Sequence, residues 1–203
     1  MTTKVLLLSG SKDQQGKGAE IMAAVAKGVA KAGGTSESIF LTALNLERCR
    51  QCDSDGWGIC RREHWCIIKD DFPALVDKIN AADVVVLVSP VYLRDLAESM
   101  RCFMERLTRV RFVSQLSKER PIPAPPAVGI CYSGGSGMGM ADACASIGRL
   151  MEIAHFDIVD MIPLRRQNLP LKLPMLETIG GWLATKPNSG PPLIPDKSKP
   201  DAK

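Results

Sequence analysis

The most informative stretch of the chain is residues 84–92, Val-Val-Val-Leu-Val-Ser-Pro-Val-Tyr, in which five apolar residues run directly into a polar turn. A short, wholly apolar run that ends at turn residues is typical of a strand buried on both faces of a parallel sheet. The same pattern occurs at residues 5–8, before the turn 9–11, and at residues 128–132, before the glycine-rich turn 133–135. These segments predict three buried strands.

Helical patterns separate these strands. Met22, Val25, Ala26 and Val29 recur at the spacing of one helix face, and a glycine pair follows them. Similar patterns predict helices that begin at 70–71 and that cover 96–107 and 144–151, with further strands at 38–41 and 158–162 and an end to the central strand at Pro90. The alternation predicts an α/β fold, a doubly wound five-stranded parallel sheet with helices on both faces. Ligands of such sheets bind beyond the carboxyl ends of the strands.

Composition sets the class of protein. The chain has 203 residues, of which 45% are hydrophobic and 24% charged, and a net charge of +4. We expect one domain over 1–185, with a cysteine-rich insertion at 48–68 and a flexible tail at 186–203. The small net charge disfavours nucleic acid as a partner. With no apolar run of membrane-spanning length and no signal-peptide pattern, we expect a cytoplasmic protein that does not enter a membrane.

Residues 9–18, Ser-Gly-Ser-Lys-Asp-Gln-Gln-Gly-Lys-Gly, join the first predicted strand to the first predicted helix. Hydroxyl groups, glycine backbone N–H groups and a helix N-terminus can together bind a phosphate. The loop matches neither the Walker A nor the GxGxxG pattern, which disfavours ATP and an ordinary dinucleotide site. An ordinary strand-to-helix turn is the alternative. The candidate phosphate ligands are Ser9, Ser11, Gly16, Lys17 and Gly18.

Three segments resemble motifs of the NADPH-dependent FMN reductase family, a flavodoxin-like branch. Residues 89–92, Ser-Pro-Val-Tyr, and the helical segment 101–106, Arg-Cys-Phe-Met-Glu-Arg, are similar to its Ser-Pro-(Val/Ile)-Tyr and Lys-x-Phe-(Ile/Met)-Asp-Arg motifs. The opening loop matches the family pattern Gly-Ser-Pro-Arg-x-x-Gly-Asn-Thr at Gly10, Ser11 and Gly16. Residues 132–137 resemble its third loop, so the resemblance extends over about residues 5–162.

The resemblance implies an FMN cofactor and a flavodoxin-like fold. It places the phosphate on the loop 9–18 and the isoalloxazine ring between two later loops. The ring-binding candidates are Pro90, Val91, Tyr92, Leu93 and Arg94 on one side and Ser133, Gly134, Gly135, Ser136 and Gly137 on the other. Two departures concern the phosphate, because Lys17-Gly18 replaces the family's Asn-Thr pair and Asp13 stands at its arginine.

The implied activity is that of an FMN-dependent oxidoreductase or electron carrier. NAD(P)H is the implied hydride donor, and small molecules or proteins are the implied electron donor and acceptor. The flavin carries the chemistry, so no catalytic side chain is expected. The resemblance also implies a homodimer or homotetramer. The alternative is a non-enzymatic module of the same fold.

Four cysteines, Cys49, Cys52, Cys60 and Cys66, are spaced C-x2-C-x7-C-x5-C. Four thiolates from one loop can ligate a 4Fe–4S cluster, and soft sulfur also suits zinc. Within the resembled family, iron–sulfur flavoproteins carry a compact cysteine motif at this place, followed by Asp-Asp-(Met/Phe), which residues 70–72 match. Here Asp55 stands at the third cysteine of that motif and Cys60 comes five residues later. A cluster, zinc and unmetallated thiols therefore remain as alternatives.

Overall fold

The computed structural model describes residues 2–116, 124–188 and 190. For residues 112–116 it describes the backbone only. Five parallel strands form one sheet in the order β2-β1-β3-β5-β6. They are β1 (Lys4–Ser9), β2 (Thr35–Phe40), β3 (Val84–Tyr92), β5 (Pro126–Ser133) and β6 (Asp157–Arg165). A two-residue strand, β4 (Asp95–Leu96), pairs antiparallel with the end of β3. The predicted five-stranded parallel sheet is thus confirmed, with this short hairpin added.

Helices cover both faces of the sheet. They are α1 (Lys17–Lys31), the single turn α2 (Cys60–Glu63), α3 (Phe72–Ala81), α4 (Glu98–Leu116), α5 (Met140–Ile153) and α6 (Leu169–Leu183). One core lies between the sheet and α1 with α6, and the other lies between the sheet and α3, α4 and α5. In β3, Val86 and Val88 enter the first core and Val85 and Leu87 enter the second, as the two-residue period of a strand requires.

Several boundaries differ from the predictions. The central strand continues through Pro90 to Tyr92, because the segment after Pro90 turns into the hairpin with β4. The predicted strand 38–41 lies at 35–40 and is mostly exposed, since it forms the edge of the sheet. Of the predicted tail, 189 and 191–203 lie outside the described residues. In the described part of the chain, no helix is long and apolar enough to cross a bilayer.

Helix α6 was not predicted from the sequence. It contains Pro174 in its interior and is apolar on most sides, so it lacks the amphipathic pattern of a surface helix. It packs closely against α1, where Gly28 contacts the Glu177 carbonyl and Gly180 contacts the Val25 carbonyl with no room for a Cβ at either glycine. Both glycines are buried.

Candidate functional site

The ends of three strands bring the predicted loops to one edge of the sheet. Ser9 at the end of β1 is in register with Val88 of β3, and Pro90 of β3 is in register with Tyr132 of β5. The Gly10 N–H continues this pairing by donating to the Val88 carbonyl at 2.9 Å. The candidate phosphate loop therefore lies beside the 90–94 segment, which in turn lies beside the 133–137 loop.

Local hydrogen bonds fix the candidate phosphate loop. Ser9 Oγ accepts from the Ser11 N–H at 3.1 Å, and Ser11 Oγ donates to the Asp13 carbonyl at 3.1 Å. From outside the loop, Thr42 Oγ1 donates to the Ser11 carbonyl and Ser99 Oγ donates to the Gly10 carbonyl, both at 2.8 Å. Side chains from outside the loop therefore bind two of its carbonyl groups.

The loop leads into the N-terminus of α1, where Gly16 is the N-cap residue and no described side chain caps the helix. Gly18 is buried in the first turn, and a Cβ there would lie 2.9 Å from Tyr132 Oη and 3.2 Å from Ser9 Oγ. Backbone N–H groups at a helix start attract an anion. The Asp13 carboxylate also folds over this end, since it contacts Gly16 and accepts from the Gln15 N–H at 2.9 Å.

The 90–94 segment forms the tip of the β3–β4 hairpin. Leu93 and Arg94 are its two turn residues, with φ values of 48° and 69°. Positive φ at both positions matches the twist of a two-residue hairpin and is strained for residues other than glycine. Tyr92 is 58% exposed at the base of this turn. Arg94 packs against the backbone of Gly139, so the hairpin tip reaches the loop that follows β5.

The loop after β5 has open space at two glycines. Two residues contact it, one from the end of β6 and one from the turn that follows β6. Apart from the glycine itself and its two chain neighbours, no described atom lies within 4 Å of where a Cβ would stand at Gly134 or Gly135. Gly137, with φ of 83°, packs against the Arg165 guanidinium, and Gln167 Nε2 donates to the Gly135 carbonyl at 3.1 Å. The sequence analysis missed Arg165 and Gln167, although Arg165 ends the last strand and Gln167 follows it at the same edge.

These features fit FMN. The helix N-terminus and the buried Ser9 and Ser11 suit a phosphate, and the two glycines leave space for a planar ring close to the backbone. The structure brings every predicted phosphate and ring residue to this one edge. Asp13 is the feature that opposes an anion here.

The four motif cysteines line a second pocket. Cys49, Cys52, Cys60 and Cys66 all border a small pocket of about 20 Å³ that opens to solvent. Gly58 makes the turn possible, because a Cβ there would lie 2.8 Å from the Cys52 Cβ. All four are free thiols; Cys52 is exposed and the other three are half-buried.

Helix α4 supplies two guanidinium groups to this pocket. Arg106, with its side chain 1% exposed, donates from Nη2 to Cys66 Sγ at 3.4 Å and pairs through both terminal nitrogens with the buried Asp70 carboxylate. Arg109 donates to the Gly56 carbonyl at 2.6 Å and lies over the Trp57 ring. Sequence analysis quoted Arg106 only as part of a motif, because only the folded chain shows that it reaches Cys66.

Burial and neighbouring groups shift the pKa values of Cys60 and Asp70 at this pocket. Burial raises the pKa of Cys60, and the Arg109 charge opposes that rise. Burial also pushes the pKa of Asp70 upward, but hydrogen bonds from Arg106 and from the backbone of Glu47 and Phe72 hold it below its usual value. Arg106 Nε is buried and has no hydrogen-bond partner among the residues that the structure describes.

This donor set fits a soft, sulfur-ligated group. Four thiols beside the two arginines of α4 are ligands that a 4Fe–4S cluster or a zinc ion could use. Within 2–116, 124–188 and 190, no three His, Cys, Asp or Glu side chains converge closely enough to hold one metal ion.

Residues 3–169 match the family model described as NADPH-dependent FMN reductase. The chain belongs to the NADPH-dependent FMN reductase family. Among similar proteins, an iron-sulfur flavoprotein of Methanosarcina thermophila is 27% identical over 65% of this chain and 66% of its own. An iron-sulfur flavoprotein of Methanocaldococcus jannaschii is 29% identical over 65% of each chain. These alignments span just under two thirds of the relatives.

A solved structure shares the fold of this family member. The NAD(P)H:quinone oxidoreductase from Methanothermobacter marburgensis superposes with a TM-score of 0.71 at 17% identity, over 90% of this chain and 98% of the other. At that identity, the likeness supports the flavodoxin-like fold alone. The prediction of fold and family is confirmed.

Proposed function

We propose that this family member is an FMN-dependent oxidoreductase that takes electrons from NAD(P)H or a protein donor. The observation that carries the proposal is the meeting of three loops at one sheet edge, with a helix N-terminus at one end and two open glycine positions at the other. Bound FMN supplies the redox chemistry, because it can accept a hydride and return electrons singly or in pairs.

The chain's own groups bind and orient the cofactor. Ser9, Ser11 and the first turn of α1 receive the phosphate, while Lys17 adds a positive charge. The backbone of Gly134 and Gly135 approaches the ring, which has Tyr92 and the hairpin tip on its other side. No side chain needs to exchange a proton for this role.

We further propose that Cys49, Cys52, Cys60 and Cys66 ligate one 4Fe–4S cluster. Their shared pocket and the two arginines of α4 support this assignment, and the names of the two relatives agree with it. Because such a cluster accepts one electron at a time, a protein donor such as a ferredoxin would be an alternative to NAD(P)H.

The remaining proposals concern the oligomeric state, the domain extent, the location and the partners of the protein. Tyr92, Leu93 and Met138 are exposed apolar side chains at the cofactor edge, which supports a homodimer or homotetramer that covers them. A single domain over 1–185, a cytoplasmic location, and the absence of nucleic-acid and membrane partners are proposed on composition alone.

Anaerobic purification tests the cofactor assignment. We expect a flavin spectrum with one FMN per chain that bleaches on addition of NADPH or NADH. Ser11→Glu places a negative charge at the phosphate and should abolish flavin retention, whereas Glu152→Gln, on the exposed end of α5, should retain it. Full FMN content in Ser11→Glu would show that the phosphate binds elsewhere.

Anaerobic reconstitution with iron and sulfide tests the cluster. We expect about four irons and four sulfides per chain. Cys60→Ser should lose them, and Cys102→Ser, a thiol of α4 that does not line the pocket, should keep them. No iron uptake by the wild type, with FMN bound, would leave a flavoprotein with unmetallated thiols.

A further inference from the structure

The Tyr132 side chain extends from β5 to the candidate phosphate loop, which follows β1. It stands near the end of β5, yet its hydroxyl lies under the first turn of α1, and the residue is 8% exposed. Around the point where a Cβ of Gly18 would stand, Tyr132 Oη lies at 2.9 Å, Ser11 Cβ at 3.1 Å and Ser9 Oγ at 3.2 Å. Groups from two strands and one loop therefore converge on Gly18.

Glycine at position 18 makes this arrangement possible. Any larger residue would place its Cβ closer to the phenol than Cβ atoms normally come, so the hydroxyl would have to move away. In the structure the hydroxyl lies beside the Ser11 side chain and the Gly18 backbone. Burial raises the pKa of Tyr132, so the hydroxyl keeps its proton and remains a hydrogen-bond donor at neutral pH.

We propose that the Tyr132 hydroxyl is a phosphate-binding group that makes this site select FMN over riboflavin. The proposal rests on the proposed function, in which the FMN phosphate lies at Ser9, Ser11 and the start of α1. There the phenol can accept from the Gly18 N–H and donate to a phosphate oxygen. A neutral donor suits this place, because the loop already contains Lys12 and Lys17 with Asp13 opposing them.

A purely structural role is the competing explanation. The Tyr132 ring packs in the core beside α1, together with Val5 and Ile162, and this packing could be its whole role. Phosphate binding and packing differ in one measurable respect. A role in core packing should affect FMN and riboflavin alike or affect neither, whereas a hydroxyl at the phosphate matters for FMN and not for riboflavin, which has the same ring and ribityl chain without the phosphate.

The experiment compares Tyr132→Phe with Tyr92→Phe, the only other tyrosine in the chain. Flavin is removed from each protein, and fluorescence quenching gives Kd for FMN and for riboflavin. We expect Tyr132→Phe to weaken FMN binding about tenfold or more, as for loss of a hydrogen bond to a charged group, and to leave riboflavin binding unchanged. Tyr92→Phe should change both affinities by the same factor, because its hydroxyl is at the ring.

Phosphorus NMR of bound FMN provides a second readout. We expect the phosphate resonance to shift in Tyr132→Phe and to keep its wild-type position in Tyr92→Phe. Equal effects of Tyr132→Phe on FMN and riboflavin, or no effect on either, would overturn the proposal while the FMN site stands. Wild-type protein that binds neither flavin would overturn the proposed function and this inference together.

Discussion

The Asp13 carboxylate lies beside the proposed phosphate position, where a negative charge is unfavourable. It contacts Gly16 and accepts from the Gln15 N–H. It therefore lies at the helix N-terminus that we assign to the phosphate and competes for it. Asp13 is exposed, and its repulsion of a phosphate is therefore moderate and sensitive to salt.

Asp13→Asn should tighten FMN binding. The amide keeps the acceptor for the Gln15 N–H and removes the charge, so we expect Kd to fall by about threefold to tenfold at low salt, with a smaller gain at high salt. Riboflavin binding should not change. Titrations of FMN into the wild type, Asp13→Asn and the distant control Glu152→Gln would measure this. An unchanged Kd for Asp13→Asn would mean that the phosphate does not approach this helix end.

The buried pair of Asp70 and Arg106 predicts a pH dependence of stability. The folded-state pKa of Asp70 lies below its usual value, so its contribution is present above about pH 4 and is lost as the pH falls through the lower folded-state pKa. Asp70→Asn should remove this part of the acid sensitivity. It should also lower the free energy of unfolding at pH 7 by about 3–5 kcal/mol, because Arg106 stays buried without its partner.

Urea denaturation of the metal-free protein between pH 3 and pH 7 would measure both effects. Asp77→Asn, on the exposed side of α3, is the matched control and should follow the wild-type curve. An Asp70→Asn curve parallel to the wild type below pH 4 would contradict the assignment.

Helices α1 and α6 cross with their backbones in contact, and this contact depends on two glycines. Alanine is the better helix former by about 1 kcal/mol, yet a methyl group at Gly28 or Gly180 would meet a carbonyl of the facing helix. We expect Gly28→Ala and Gly180→Ala to lower the free energy of unfolding by about 1–3 kcal/mol, the usual cost of overpacking.

Gly181 provides the control for this prediction. A Cβ there would lie 3.7 Å from the Gly28 carbonyl, an ordinary contact distance, so Gly181→Ala should be neutral or slightly stabilising. Chemical denaturation of the three variants would rank them. Equal stability of Gly180→Ala and Gly181→Ala would mean that the helices can separate at little cost.

Helix α4 connects the cysteine pocket to the core. Phe103, Met104 and Leu107 pack under the sheet, while Arg106 and Arg109 on adjacent faces reach the cysteine pocket. One helix therefore positions both the hydrophobic core and the charges beside the thiols.

The sequence was sufficient to predict the central sheet and the meeting of three loops at one of its edges. Continuous apolar strands and the polar turns after them are local signals, and parallel pairing then brings those turns together. Helix α6 was missed because it contains Pro174 and lacks an amphipathic pattern. Arg165, Gln167 and the side-chain position of Tyr132 were missed for another reason, since only tertiary packing brings them to the loops.

The cysteine-rich segment 48–68 and the sheet should respond differently to metal. Three of the four cysteines are only half-buried, and Trp65 and Ile67 beside Cys66 are 49% and 52% exposed, so little apolar packing holds this segment. The sheet core, in contrast, consists of fully buried aliphatic residues such as Leu7, Val86 and Ile130. Metal–thiolate bonds would supply the order that packing does not, since metal binding and folding are coupled.

Hydrogen exchange should therefore slow in residues 49–66 when iron and sulfide are added anaerobically, with little change in β1, β3 and β5. Cys60→Ser should keep the fast exchange of the metal-free protein, because three thiolates leave one iron without its protein ligand. Cys102→Ser should behave as the wild type. Peptide-resolved mass spectrometry, paired with iron analysis of the same samples, makes the measurement. Slow exchange of the segment in iron-free wild type, unchanged by iron, would show that packing alone orders it and that the four thiols have no cluster to hold.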